Sequence, residues 1–250
     1  MSNIKLYCCD NLELMKTLQD NYIDLIYCDI LYGTGRNFDD YQDLKCDRKI
    51  IEEHYIPRLK EMYRVLKNTG SIYLQMDTRI NHWMRCLMDD VFGYDNFRNE
   101  IIWGYNWGGR SKTKFAQKHD TIFFYSKTNN YNFYTDKIRI PYKTIVSEKT
   151  KNPLVNRDKL NKGQIPTSVW TDITIIHTNS KEAKENKYNT KKPEKLLERI
   201  IKASSNENDL VADFYLGSGT TAIVCKNLNR NFIGCDISEK AIEISKNRVE

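Results

Sequence analysis

The stretch DLVADFYLGSGTTAIVCKNLNRNFIGCD, residues 209–236, constrains the fold of this chain more than any other. It begins with an apolar run, LVADF, which is typical of a strand buried on both faces of a sheet. Gly217 and Gly219 follow. Because glycine has no Cβ, the chain can turn sharply there and a ligand can approach its backbone closely. Residues 220–228 then carry apolar side chains at helical spacing, so the stretch predicts a strand, a tight turn and a helix.

The end of the same stretch predicts a nucleotide-binding unit. Ser218 or Thr220 is expected to cap the helix. A second strand follows and ends in Asp236, near the position where a ribose-binding carboxylate follows a glycine turn. The letters G-x-G-x-x-A from residue 217 also fit the dinucleotide fingerprint, although that match alone does not identify the cofactor. An ordinary strand–helix–strand turn without a ligand is the alternative.

Length and composition limit the class of protein. A chain of 250 residues suits one catalytic-size domain with one insertion. No apolar run approaches the roughly 20 residues of a membrane-spanning helix, and the first residues do not read as a secretory signal peptide. The seven cysteines are scattered without a C-x-x-C pair, which favours reduced thiols over structural zinc. We therefore expect a cytoplasmic protein with no metal site and no membrane partner.

The charge of the chain is uneven. The net charge is +6, but residues 110–162 hold 13 Lys and Arg against 4 Asp and Glu, a balance of +9. A basic segment in a slightly acidic body favours a polyanion as partner. The candidate contacts are Arg110, Lys112, Lys114, Lys118 and Lys143. A solvated, lysine-rich surface is the alternative.

Strands and helices alternate along most of the chain, which predicts an α/β sheet with helices on its faces. The predicted strands before the glycine turn are residues 4–9, 23–29, 71–76, 97–103 and 121–125. The predicted helices are residues 12–18, 50–66, 82–91 and 193–204. Pro57 lies inside the second helix and predicts a kink or a break there. Residues 104–188 interrupt the alternation with an Asn-, Lys- and Thr-rich segment that carries interleaved Tyr and Phe.

A second candidate site lies where the strand 23–29 ends. Asp29 and Tyr32 precede a glycine-bearing loop, and open α/β sheets place their sites at such carboxyl ends. A helix cap or a loop salt bridge is the alternative for Asp29, and a core or rim aromatic is the alternative for Tyr32.

With these pieces in this order, the chain resembles the DNA amino-methyltransferases of the permuted β group. Asp29, Ile30, Leu31 and Tyr32 stand where that family has Asp-Pro-Pro-Tyr. The letters YNTKKPEKLL, VWTDI and DFYLGSGTT also resemble segments of the family, and the acid–tyrosine motif precedes the glycine turn, which is the permuted order. The resemblance covers most of the chain except about residues 107–164.

The resemblance implies a class I methyltransferase fold, with a doubly wound, mixed, seven-stranded sheet and an inserted target-recognition region. It implies S-adenosylmethionine as donor and an exocyclic amino group of a base in double-stranded DNA as acceptor, so the protein is expected at the nucleoid. An acid at position 29 favours adenine N6. Residues 1–103 become the catalytic half of the domain, 104–188 the inserted region with one core strand, and 189–250 the cofactor-binding half. Whether the protein acts alone, as a homodimer or beside a restriction endonuclease stays open.

The chemistry suits the same residues. An exocyclic amine is a poor nucleophile, because its lone pair is delocalised into the ring. Asp29 and the backbone carbonyl of Ile30 are expected to accept its two hydrogens, and the ring of Tyr32 is expected to stack on the flipped-out base. Orientation toward the donor methyl supplies much of the remaining rate. Because Ile30 and Leu31 replace two prolines, we expect a looser loop and weakened or altered activity.

The resemblance also assigns cofactor contacts. The turn would lie against the methionine part of the donor, Asp236 would bind the ribose hydroxyls, and Lys192 would lie at the methionine end. Cys9 and Asp10 are candidates for the adenine edge, with a helix cap as the alternative, and a basic surface residue is the alternative for Lys192. The remaining candidates are Asp29, Asp213, Phe214, Leu216, Gly217, Ser218, Gly219, Thr220, Thr221 and Ile237.

Three other functions compete. A cytosine-N4 or RNA amino-methyltransferase would use the same fold. A nicotinamide-dependent dehydrogenase would use the glycine turn, but the 14 residues after Asp236 are too few for the strands expected to follow. A catalytically silent DNA-binding protein would explain the changed motif, and cofactor binding without methyl transfer would favour it.

Overall fold

The computed structural model describes residues 2–37, 41–105, 108–142, 161–176 and 191–250, and within them eight strands form one mixed sheet. The strands are β1 (Ile4–Cys8), β2 (Ile23–Asp29), β3 (Leu66–Met76), β4 (Phe97–Gly104), β5 (His119–Ser126), β6 (Val169–Trp170), β7 (Leu210–Asp213) and β8 (Asn231–Asp236). Their order is β1-β8-β7-β2-β3-β5-β4-β6. The first five strands in that order run parallel, and β5 runs antiparallel to both β3 and β4. The predicted mixed α/β sheet is confirmed, with the two-residue β6 as one strand more than the seven expected.

Six helices of the described chain cover the two faces of this sheet. They are α1 (Asn11–Thr17), α2 (Arg48–Val65), α3 (Asn81–Phe92), α4 (Glu194–Ser204), α5 (Thr220–Asn227) and α6 (Glu239–Val249). The apolar sides of α1, α2 and α3 pack in one buried cluster, and those of α4, α5 and α6 pack in a second. None of the described helices is long and apolar enough to cross a membrane.

Helix α2 continues through Pro57 without a break, and its buried face includes Tyr55 and Leu59. A kink at Pro57 remains a prediction. The predicted cap of α5 by Ser218 or Thr220 was wrong. Helix α5 is capped by Gly219 at a φ of 72°, without a side-chain hydrogen bond. A Cβ on Gly219 would stand 2.5 Å from Ser245 Oγ, so the close approach of α6 requires glycine at this position.

The chain reverses its winding between the neighbouring strands β2 and β7. The chain leaves β2 for α2 on one face of the sheet, and it leaves β7 for α5 on the other face. Such a reversal opens a crevice at the carboxyl ends of the strands. Asp29 ends β2, Asp213 ends β7 and Asp236 ends β8, so three carboxylates meet at this crevice.

The region predicted as an insertion contributes two strands, β5 and β6, to the sheet. One member of its basic block, Lys127, is buried and donates hydrogen bonds to Asn21 Oδ1 at 2.9 Å and Leu66 O at 2.7 Å. Lys127 therefore stabilises the core. The boundaries proposed for the three parts of the chain remain a prediction.

Candidate active site

A cavity of about 230 Å³ opens at the carboxyl ends of the strands. The predicted residues that line it are Cys9, Asp10, Asp29, Ile30, Tyr32, Lys192, Asp213, Phe214, Leu216, Gly217, Ser218, Thr220, Thr221, Asp236 and Ile237. Gly219 is not among the lining residues, and its α-carbon faces Ser245 instead. The acid–tyrosine motif and the glycine turn, far apart in the sequence, therefore border one cavity.

The glycine turn is tied to the strand that follows it. Gly217 and Gly219 have φ angles of 51° and 72°, a region that favours glycine. The Gly217 N–H donates to Asp236 Oδ2 at 2.9 Å, and the other oxygen of Asp236 accepts from the Ser238 N–H at 2.9 Å. Asp236 thus links the glycine turn to the start of α6.

Asp213 lies beneath the turn and is buried. It accepts a hydrogen bond from the Thr221 hydroxyl at 2.6 Å and another from the Tyr215 N–H at 3.0 Å. Burial raises the pKa of Asp213 to about 7, and the negative charges of Asp29 and Asp236 act in the same direction. A cation bound in this cavity would favour the ionised form of the carboxylate.

Asp29 carries the chemistry predicted for the other end of the cavity. The Tyr32 hydroxyl lies 2.7 Å from Asp29 Oδ1, and Lys192 Nζ forms an ion pair with Asp29 Oδ2. Burial raises the pKa of Asp29, and the positive charge of Lys192 opposes this shift. Burial alone would lower the pKa of Lys192, but attraction to Asp29 outweighs it and the pKa is raised. Asp29 and Lys192 thus form a half-buried ion pair beside the Tyr32 hydroxyl.

Lys192 lies beside the acid–tyrosine motif. Its amine contacts Asp29 and lies 5.3 Å from the centroid of the Tyr32 ring. Lys192 directly precedes Pro193, the N-cap of α4. Its predicted place at the methionine end of the cofactor remains a prediction.

Hydrogen bonds hold the backbone of the acid–tyrosine motif. The Ile30 N–H donates to Gln75 O at 3.1 Å, and the Tyr55 hydroxyl donates to Leu31 O at 2.9 Å. The Gly33 N–H donates to Asp43 Oδ1 at 3.1 Å. Hydrogen bonds therefore hold the segment that was expected to be loose. The expectation of weakened activity remains a prediction.

A buried polar network lies beside the motif and was not predicted from the sequence. Asp120, at the start of β5, receives hydrogen bonds from the side chains of Gln75 at 2.8 Å and Tyr105 at 3.0 Å. The Tyr32 hydroxyl lies 2.9 Å from the same carboxylate. These residues come from two strands and two loop segments without a shared spacing, so no sequence pattern connects them.

A second missed group surrounds Asp10. Asp10 caps α1 through the Leu12 N–H at 2.8 Å and forms an ion pair with Arg58 at 2.6 Å. Asp10 therefore caps a helix in the structure, which was the alternative prediction for this residue. Near it, burial lowers the pKa of His54 to about 4, so this ring is neutral at pH 7.

The candidate DNA contacts cluster on the loop between β4 and β5. Arg110, Lys112 and Lys114 are exposed and Lys118 is half-buried, while Lys143 lies outside the described residues. Phe115 stands among them with its whole side chain exposed. Tyr105 and Asp120, near the two ends of the loop, are hydrogen-bonded to each other. Asp120 also lies 2.9 Å from the hydroxyl of Tyr32, which lines the cavity.

The cavity residues suit S-adenosylmethionine. That cofactor has a positively charged sulfonium, a ribose diol and no phosphate. The cavity offers the carboxylates of Asp29, Asp213 and Asp236 together with a glycine turn. Across the described ranges no cluster of three or more His, Cys, Asp or Glu side chains has the arrangement of a metal site.

Comparisons with known proteins agree with this geometry. Residues 23–247 match the N6_N4_Mtase family, described as DNA methylase. The type II methyltransferase M.HpaI of Haemophilus parainfluenzae is 36% identical over 248 residues, which cover 98% of this chain and 74% of that protein. The DNA adenine methyltransferase YhdJ of Escherichia coli (strain K12) is 30% identical over 247 residues, which cover 96% of this chain and 81% of that protein.

Solved structures show the same fold. PvuII DNA methyltransferase (cytosine-N4-specific) superposes with a TM-score of 0.75 at 19% identity, covering 100% of this chain and 87% of that one. The M1.HpyAVI–SAM complex gives 0.65 at 19% identity, covering 99% of each chain. The predicted methyltransferase fold and S-adenosylmethionine as methyl donor are thereby confirmed. The chain belongs to the N6_N4_Mtase family of DNA methylases.

Proposed function

We propose that this protein is a site-specific methyltransferase that modifies N6 of adenine in double-stranded DNA, acting on a base that has left the helix. The observation that supports this best is the shared cavity, which has Asp29 and Tyr32 at one end and Gly217 at the other. The relative YhdJ, named as an adenine methyltransferase, and the acid at position 29 both favour adenine.

The proposed chemistry assigns one role to each residue of the motif. Bound S-adenosylmethionine supplies an electrophilic methyl group on a positively charged sulfur. Asp29 accepts one hydrogen of the adenine amine and the Ile30 carbonyl accepts the other, which concentrates electron density on the nitrogen. The Tyr32 ring stacks on the base. Lys192 opposes the rise in the pKa of Asp29 and holds its carboxylate through an ion pair.

The cofactor contacts are proposed from the same cavity. Asp236 binds the ribose hydroxyls, the backbone at Gly217 lies along the methionine part, and Cys9 lies at the adenine edge. Asp10 is assigned a supporting role, because the helix α1 and Arg58 already engage both of its oxygens.

Product analysis tests this function. Purified protein is incubated with isotopically labelled S-adenosylmethionine and unmethylated DNA, and the nucleosides are separated by chromatography and mass spectrometry. We expect labelled N6-methyladenine. Asp29→Ala should lower transfer by about 100-fold or more while the circular dichroism spectrum is unchanged. Asp136→Ala, at an exposed aspartate, is the matched control and should leave transfer unchanged. Full activity in Asp29→Ala would contradict the assigned role.

Cytosine N4 is the second candidate acceptor, and the cytosine-N4-specific PvuII enzyme among the structural neighbours favours it. The same assay separates the two, because N4-methylcytosine would then be the labelled product. Cofactor and DNA binding without any labelled product would favour the catalytically silent alternative.

The DNA is proposed to lie against the loop of residues 108–118. Its exposed cations are proposed to face the phosphates, and the exposed ring of Phe115 among them offers a surface for a base. Several relatives are type II methyltransferases, which supports a role beside a cognate restriction endonuclease. Sequencing of modified bases in DNA from cells with and without this gene tests that role and gives the target sequence.

A further inference from the structure

Two carboxylates share one hydroxyl at the active site. The Tyr32 hydroxyl oxygen lies 2.7 Å from Asp29 Oδ1 and 2.9 Å from Asp120 Oδ2. A phenol has a single proton, so it donates to only one of the two carboxylates at a time. The family assignment and the proposed chemistry use the first carboxylate and leave the second without a role.

The surroundings of Asp120 fix it as an acceptor. The Tyr27 hydroxyl donates to Gln75 Oε1 at 2.8 Å, which orients the amide so that Gln75 Nε2 donates to Asp120 Oδ2 at 2.8 Å. The opposite orientation of this buried amide would set two oxygens against each other. The Tyr105 hydroxyl donates to Asp120 Oδ1 at 3.0 Å. Both oxygens of a carboxylate that is 4% exposed thus accept hydrogen bonds from neighbouring side chains.

The two oxygens of Asp29 have different partners. Oδ2 is paired with Lys192, so an incoming amine is expected to bind Oδ1. While the Tyr32 proton points at Oδ1, it competes with the hydrogen of that amine. Rotation of the Tyr32 hydroxyl about its C–O bond would redirect its hydrogen bond to Asp120 Oδ2, which lies 2.9 Å from the hydroxyl oxygen.

We propose that Asp120 is a positioning residue that draws the Tyr32 proton away from Asp29 when the target amine binds. The inference rests on the proposed function of Asp29. No covalent bond forms or breaks in this step, because the proton stays on the tyrosine oxygen and only its hydrogen-bond acceptor changes. Gln75 and Tyr105 hold Asp120 in place for the exchange.

A double-mutant cycle tests the proposal. In Asp120→Asn the amide oxygen is a weaker acceptor than a carboxylate, so the Tyr32 proton stays on Asp29. The kcat for transfer from tritiated S-adenosylmethionine to unmethylated DNA should fall about 10- to 100-fold, the equivalent of one charge-assisted hydrogen bond. In Tyr32→Phe there is no proton to redirect, so adding Asp120→Asn should change kcat by less than about threefold.

Controls separate this result from damage to the fold. The dissociation constant of S-adenosylmethionine, measured by calorimetry, should be the same in Asp120→Asn and in the unmodified protein, and Asp136→Asn should leave kcat unchanged. An equal loss of kcat in both backgrounds, or no loss in either, would overturn the proposal. Full transfer by Asp29→Ala would refute the proposed function and, with it, this step.

Discussion

Asp213 offers a quantitative test of the electrostatics beneath the glycine turn. It is 2% exposed, and burial raises its pKa to about 7. Asp213→Asn is a close mimic of the protonated acid. Its amide oxygen can still accept from the Tyr215 N–H, and its NH₂ group can donate to Thr221 Oγ as the acid proton would. The variant therefore removes the charge and keeps the shape.

The sign of the effect follows from linkage. An unfolded aspartate has a pKa of about 3.9. Between pH 4 and pH 7 the folded state therefore binds more protons at this site than the unfolded state does. The stabilisation from Asp213 is fully present below pH 4 and is lost as the pH rises through 7. A difference of about 3 pH units corresponds to about 4 kcal/mol in total, of which about 3 kcal/mol falls between pH 5 and pH 8.

Equilibrium unfolding in urea, followed by circular dichroism, measures this difference. The free energy of unfolding of Asp213→Asn minus that of the unmodified protein should increase by about 3 kcal/mol from pH 5 to pH 8. Asp136→Asn, at an exposed aspartate, is the control and should show no such trend. A difference that does not change with pH would mean that Asp213 is already ionised in the folded protein at pH 5, and the argument from burial would fail.

Two further predictions concern the turn and the DNA surface. Gly219→Ala should lower the free energy of unfolding by about 1–3 kcal/mol, because its φ is 72° and its new Cβ would meet Ser245 Oγ at 2.5 Å. Thermal unfolding measures this loss, and Ser245→Ala in the same chain should recover part of it. Unchanged stability would contradict the close approach of α6. Lys→Ala at Lys112, Lys114 and Lys118 should reduce the slope of log K for DNA against log salt by up to about 3, at about 0.9 per lost phosphate contact. Lys16→Ala is the control, and an equal slope in the triple variant would place the DNA elsewhere.

The glycine turn and its acid were predictable because the constraints on them are local. An apolar run, two glycines at positive φ and a carboxylate at the next strand end all appear within residues 209–236. The position of Asp29 was predictable for a similar reason, since β2 reads as a buried strand and its carboxyl end is fixed by the sheet. Their convergence on one cavity follows from the reversal of winding between β2 and β7.

The rest depended on contacts between distant segments. The cap of α5 was missed because it depends on how closely Ser245 approaches Gly219, which the turn itself does not encode. The ion pair of Lys192 with Asp29 was not predicted, because a motif gives the order of residues and not the direction of a long side chain. Helix α2 continues through Pro57 with one face buried, and that burial depends on contacts with the sheet that the proline itself does not encode.

The replacement of two prolines by Ile30 and Leu31 changes how the acid–tyrosine motif is held. A proline at position 30 would have no N–H, whereas the Ile30 N–H donates to Gln75 O and continues the pairing of β2 with β3 by one residue past Asp29. The side chain of the same Gln75 orients the carboxylate of Asp120. One strand residue thus connects the backbone of the motif to the acid that competes for the tyrosine proton. A hydrogen bond to β3 therefore holds the backbone of the motif where a proline ring would restrict it, and the strand residue that accepts this bond also belongs to the buried network.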